Sequence, residues 1–207
     1  MKELIERVKL VLGNPEKFFS SLKKEQGYKA SFRYLAILSI IPAIMSISIG
    51  RVWGNYSINA INHFFNLQLP TTNFTFEFFF MNAVLGYFVA LGLSFAGAAV
   101  LHLWILLFKG KEVYEKTYQL SVYSQTPRLL LGWVPLLGAL VWVYDLYLLI
   151  VGTEKIHGIS QKNALYMYLI PALLLFILAL AGIVISVVLF TTLGAGFAQS
   201  IVARMGG

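Results

Sequence analysis

The sequence of 207 residues contains no cysteine, which excludes disulfides, thiolate nucleophiles and Cys-ligated metal sites and leaves the redox compartment unread. Charge is also scarce. Asp, Glu, Lys and Arg make up 12% of the chain, about half of the roughly 25% of an ordinary globular domain. Acidic residues are the scarcer sign, 9 against 16 Lys and Arg, for a net charge of +7. From Phe78 to Phe108 there is no formally charged side chain at all. A spanning helix needs about 20 apolar residues, each rising about 1.5 Å across about 30 Å of hydrocarbon. A core helix in a soluble domain would not stay apolar on every face for so long. The chain therefore reads as an all-α, polytopic membrane protein. Catalytic signatures are missing too. The sequence has no His-Glu-x-x-His zinc motif, no Gly-x-Ser-x-Gly elbow and no Gly-x-x-x-x-Gly-Lys phosphate loop. Ser94 and Ser124 lie in apolar sequence with no paired base. No enzyme, metal or cofactor is expected, and no nucleic-acid partner.

Before the first apolar segment, near Tyr34, the chain is amphipathic rather than signal-peptide-like. Met1, Leu4, Ile5, Val8, Val11 and Leu12 recur at helical spacing among charged residues, predicting a helix with an apolar stripe. Asn14 then reads as an N-cap, with Pro15 at the first helical position and Glu16 in the first turn. This second short helix gathers Phe18, Phe19 and Leu22 and stops at Gly27. Two placements are open, packing on the membrane domain or lying in the headgroup layer. The second sets the basic residues Lys2, Arg7, Lys9, Lys23 and Lys24 against anionic lipid. Residues 1–27 are expected to form this cytoplasmic segment and residues 28–207 a membrane domain of five spans. The first span runs roughly from Phe32 to Ile49 with Pro42 inside it, and a polar loop follows to about Glu77. That loop carries two glycosylation-type tripeptides, Asn55-Tyr56-Ser57 and Asn73-Phe74-Thr75. The second span is Phe78 to Phe108. Tyr118 to Val151 is too long for one span and suits a hairpin turning at Gly132 to Pro135. A loop from Gly152 to Gln161 leads to a last span from Asn163 to about Phe190.

Of the 16 Lys and Arg residues, all but Arg51, Arg204 and the intramembrane Arg128 fall on the side of the N-terminus. The positive-inside rule then makes the N-terminus cytoplasmic and the C-terminus external. Ionisable residues at membrane depth are costly and point to function or to pairing. The candidates are Glu77, His102, Arg128 and Asp145. Depth pairs His102 with Asp145 on the inner side, both about 10 Å deep, and Glu77 with Arg128 on the outer side. Such pairs can fix helix register, carry protons or ions, or hold a lipid headgroup. Ala90, Ser94, Gly97 and Ala98 form a small-residue face suited to close helix packing.

An ordered series of motifs extends from the second span to the last. It runs from His102-Leu103-Trp104 and Lys109-Gly110-Lys111 to Val122-Tyr123-Ser124 with Pro127. Trp133-Val134-Pro135-Leu136-Leu137-Gly138, Tyr144 to Leu149 and Gly152 follow. His157-Gly158-Ile159-Ser160 and Lys162 with Ala164 complete it. With Asn14-Pro15 and Phe18-Phe19 ahead of the first span, the series resembles the prokaryotic branch of the Yip family of Ypt/Rab-interacting membrane proteins, over about residues 14 to 190. Tyr123, Pro127, Pro135, Gly152, His157 and Gly158 are the positions that carry it. The resemblance implies five spans and a cytoplasmic N-terminus. For eukaryotic members it implies vesicle trafficking, binding of prenylated Rab GTPases and shaping of internal membranes. Their acidic Asp-Leu-Tyr-Gly-Pro motif is absent here, so Rab binding does not carry over. The expected function is a non-enzymatic membrane scaffold or accessory protein acting through an unidentified protein partner. The alternative is a transporter, channel or lipid-handling protein that uses the buried polar residues.

Overall fold

The computed structural model describes the backbone of residues 2–65, 75–134 and 137–205, and their side chains apart from those at 51, 53–55, 57, 58, 65, 139 and 190–205. Every regular element among the described residues is helical: α1 (Lys2–Gly13), α2 (Pro15–Leu22), α3 (Lys29–Phe65), α4 (Phe76–Leu107), α5 (Tyr114–Ser124), α6 (Thr126–Leu131), α7 (Leu137–His157) and α8 (Gln161–Met205). Three stretches among them are long and apolar enough to cross a membrane, Lys29–Gly50, Phe76–Leu107 and Gln161–Leu189. The chain divides into two compact units, Met1–Ala164 and Leu165–Gly207. The second is the apolar remainder of α8, with Pro171 inside the helix.

Helix ends follow from local chemistry. The Asn14 side chain accepts the Lys17 N–H at 3.1 Å and Pro15 opens α2. This satisfies one of the donors a helix start leaves free, at a position that needs no N–H of its own. Thr75 caps α4 in the same way through the Phe78 N–H. At the far end of α4, Lys109 turns into the left-handed region (φ 63°) and the Gly110 N–H returns to the Ile105 carbonyl at 3.0 Å. A Cβ at residue 110 would collide with the Ile105 side chain, so the chain can reverse this tightly only with glycine.

The first unit is assembled around α5. This helix packs on α2, α3, α4, α6 and α7, and eight of its 11 residues are buried: Lys116, Thr117, Tyr118, Gln119, Leu120, Val122, Tyr123 and Ser124. The innermost element is thus among the most polar in sequence, the reverse of a soluble core. A cluster of rings seats it on α3 and α4, with Phe95 stacked on Tyr118 at 4.4 Å between ring centres. Tyr28 meets both of these rings edge-on. On the other side α2 inserts Phe18, Phe19 and Leu22, all at most 3% exposed, against α5 and α7. Gly152 makes that approach possible, since a Cβ there would overlap Leu120 and press on the Phe19 ring.

Several sequence expectations change. The segment after Gly50 is not a loop, because α3 continues to Phe65. No proline follows Pro42 in that stretch, and its polar residues are compatible with a helix standing clear of hydrocarbon. The tripeptide Asn55-Tyr56-Ser57 therefore lies on helix, and Asn73 and Phe74 fall outside the described residues. The loop expected from Gly152 shrinks to residues 158–160, because Gly152 packs inside α7 instead of ending it. Gly158, at φ 71°, makes the turn. The hairpin turn after Leu131 is where the sequence placed it, with Pro135 outside the described residues, but the segment before it is broken at Gln125 into α5 and α6.

Candidate functional site

Three polar clusters line the interior of the first unit, and α5 or its continuation α6 contributes to each. The first fastens the N-terminal segment. Arg7 of α1 donates to Glu25 Oε2 at 2.6 Å and to the Tyr123 hydroxyl at 2.8 Å, and Tyr123 donates to Glu25 Oε1 at 3.1 Å. Burial lowers the Arg7 pKa, but the Glu25 hydrogen bond and the nearby negative partners outweigh it, so the guanidinium stays firmly charged. One step deeper, Lys116 Nζ donates to the Leu22 carbonyl at 2.7 Å and to the Glu25 carbonyl. Gln119 donates to the Gly27 carbonyl at 2.9 Å, and Glu115 accepts the Gly27 N–H at 2.7 Å. A cation at the C-terminal end of α2 suits the negative end of the helix and adds to the Glu25 N–H that the Leu22 carbonyl already accepts at 3.1 Å. At the end of α1, Tyr144 of α7 donates to the Leu12 carbonyl at 2.6 Å. The C-terminal ends of both α1 and α2 are therefore bonded into the bundle.

The second cluster joins two histidines through one hydroxyl. Thr117 Oγ1 is 2.8 Å from His102 Nδ1 and 3.2 Å from His157 Nε2. The hydroxyl carries one proton, so it can donate to one ring only and accepts from the other if that ring is protonated on the facing nitrogen. His157 is 1% exposed, and its Nδ1 has no hydrogen-bond partner among the described residues.

The third cluster is the break between α5 and α6. Asp145 of α7 accepts the Arg128 backbone N–H at 3.3 Å on Oδ1, and its Oδ2 lies 3.4 Å from Arg128 Nε. The carboxylate thus meets one of the N–H groups freed where the helix is interrupted, and the side chain of the same residue balances its charge. Pro127 follows the break and supplies no N–H of its own. Beside the break, Tyr34 of α3 and Thr126 share a buried hydrogen bond of 2.9 Å.

These contacts replace the pairs that depth suggested. Asp145 meets Arg128, not His102, and His102 meets Thr117. Counting from helix ends misplaced both, because α7 extends to His157 and the start of α6 turns the Arg128 N–H toward Asp145. Glu77 lies exposed in the first turn of α4. Among the basic residues of the N-terminal segment, Lys2, Lys9, Lys23 and Lys24 are exposed, while Arg7 points into the bundle. The motif positions converge on packing: Tyr123 in the Arg7 cluster, Gly152 beneath Phe19, His157 on Thr117, Pro127 at the break and Gly158 at the turn. Sequence reasoning did not single out Glu25, Lys116, Thr117 or Gln119. The one available signal was a span expected to begin at Tyr118 that kept Gln119, Ser121 and Ser124 within it.

A family model described as Yip1 domain matches residues 9–183. No curated protein and no solved structure matches the chain.

Proposed function

The chain belongs to the Yip1 domain family and is a multi-pass integral membrane protein, and on that premise we propose that it works as a non-enzymatic scaffold or accessory protein. It acts through protein partners and through the organisation of the membrane around it. The observation that carries this reading is the docking of the N-terminal segment: its polar ends are answered by Tyr123, Lys116, Gln119, Glu115 and Tyr144. Groups so fully engaged with one another hold a shape; they are not left open to a reacting substrate.

The proposed topology has five crossings, α3, α4, the broken α5–α6, α7 and α8, with the N-terminus in the cytoplasm and the C-terminus outside. Helix α7, at 21 residues, reaches about 31 Å. The polar α5 can lie at membrane depth because protein surrounds it on most sides. Residues 1–27 form the cytoplasmic segment, and its exposed Lys2, Lys9, Lys23 and Lys24 favour anionic lipid. The absent acidic motif argues against a Rab GTPase as partner and supports a prokaryotic cell membrane as the location.

Vesicles containing the purified protein test the role. The scaffold reading predicts proton and ion leakage no greater than in protein-free vesicles. A flux that Asp145→Asn abolishes without lowering thermal stability would replace it with the transporter reading, which the Asp145–Arg128 cluster favours.

A further inference from the structure

Helices α4 and α7 pack on α5 from two sides and leave between them a cavity of about 340 Å³. Its polar lining includes Ser121, Gln125, Arg128 and Asp145, and Leu101 and Trp142 supply apolar walls. We propose that this cleft binds the headgroup of an aminophospholipid, its phosphate on Arg128 and its primary ammonium on Asp145. The inference goes beyond the scaffold reading, and either can fail without the other.

Two unfilled valences point to this chemistry. The Arg128 side chain is 54% exposed and uses only Nε on Asp145. No acceptor among the described residues serves the two terminal nitrogens of the guanidinium, which at membrane depth need one. The Asp145 side chain is nine-tenths buried, yet its Oδ2, 3.4 Å from Arg128 Nε, has no hydrogen-bond partner among the described residues. A simple anion would satisfy the guanidinium and be repelled by the carboxylate. A simple cation would do the reverse. Water can serve both groups, but it gives no use to the apolar walls. Phosphoethanolamine carries an acceptor-rich phosphate and an N–H donor a few ångströms apart, attached to acyl chains that suit Leu101 and Trp142. A choline head carries the same charges without an N–H, so it cannot complete Asp145. Asp145 lies about 12 Å along α7 from Leu137, and at that depth a head is held only on protein-lined polar surface.

Native mass spectrometry of the full-length protein, with phosphatidylethanolamine, phosphatidylcholine or phosphatidylglycerol added, tests the proposal. Phosphatidylethanolamine should be retained about tenfold more tightly than either of the others. Asp145→Asn, whose amide oxygen can still accept the Arg128 N–H, should reduce the ethanolamine lipid to the choline level. Arg128→Gln should weaken both. Should Asp145→Asn fail to fold, Gly97→Leu keeps the proposal testable. Gly97 lines the cleft, and a Cβ there meets nothing within 4 Å, so the larger side chain should fill the site and erase the preference. Equal retention of the ethanolamine and choline lipids overturns the proposal, as does a preference for phosphatidylglycerol. An ethanolamine preference that survives Asp145→Asn or Gly97→Leu overturns it equally.

Discussion

Lys116 stands in a basic stretch that, by sequence, looks like part of a cytoplasmic loop. In the folded chain it is 7% exposed and bonded to the Leu22 and Glu25 carbonyls. Lys116→Met keeps the length of the side chain and removes its donors, leaving the Leu22 carbonyl to the Glu25 N–H at 3.1 Å and the Glu25 carbonyl to the long contact from the Gln119 amide at 3.5 Å. A charged hydrogen bond of this kind contributes about 1.5–3 kcal/mol, so the variant should unfold at lower temperature in detergent. Tyr123→Phe should cost about 1 kcal/mol, since Arg7 and Glu25 still bond each other directly at 2.6 Å. If Lys116→Met melts with the parent protein, the lysine does not hold the α2–α3 connection. Nothing in sequence spacing brings Lys116 to Leu22, because the contact joins residues 94 positions apart. The same is true of Thr117 and His157. The cap at Asn14 was legible because its donor, at Lys17, is three residues away.

At the scale of elements, legibility depended on whether one helix or several decided the outcome. Helices α1, α2 and α4 follow from periodicity, capping residues and an unbroken apolar run, all local properties. The break at Gln125 and the persistence of α7 through Gly152 depend on neighbours. Asp145 of another helix meets an N–H at the break, and α2 with α5 fills the space that Gly152 leaves open. Gly152→Ala tests the second point. The added methyl would overlap Leu120 and press on Phe19, and overpacking of this kind costs typically about 1–3 kcal/mol. If Gly152 merely continued the helix, the substitution would instead stabilise it by roughly 1 kcal/mol, the ordinary gain of alanine over glycine. Thermal unfolding in detergent distinguishes the two by sign.

For the whole molecule, the lack of charge from Phe78 to Phe108 and the placement of Lys and Arg identified a multi-pass membrane protein. Among the described residues, three of the five expected crossings have the length and apolarity to stand as spans on their own. The α5–α6 segment, in helices of 11 and 6 residues, is too short to stand that way, and its polar α5 is covered by the helices around it. The proposed topology is tested by cysteines at Ser20 and His63, both exposed. An impermeant thiol reagent should label the first only from the cytoplasmic side and the second only from outside. Labelling of both from one side would remove the first crossing.

The central claim is that residues 1–27 are a built-in part of the bundle and not a peptide resting on lipid. Leu22 separates the two most directly, because it is 1% exposed on a helix that packs against α5 and α7. A leucine analogue carrying a diazirine, placed at residue 22 of the full-length protein in bilayers, reports on what surrounds it. On illumination it should label peptides of α5 or α7 within the same chain. Adducts confined to lipid would contradict the account.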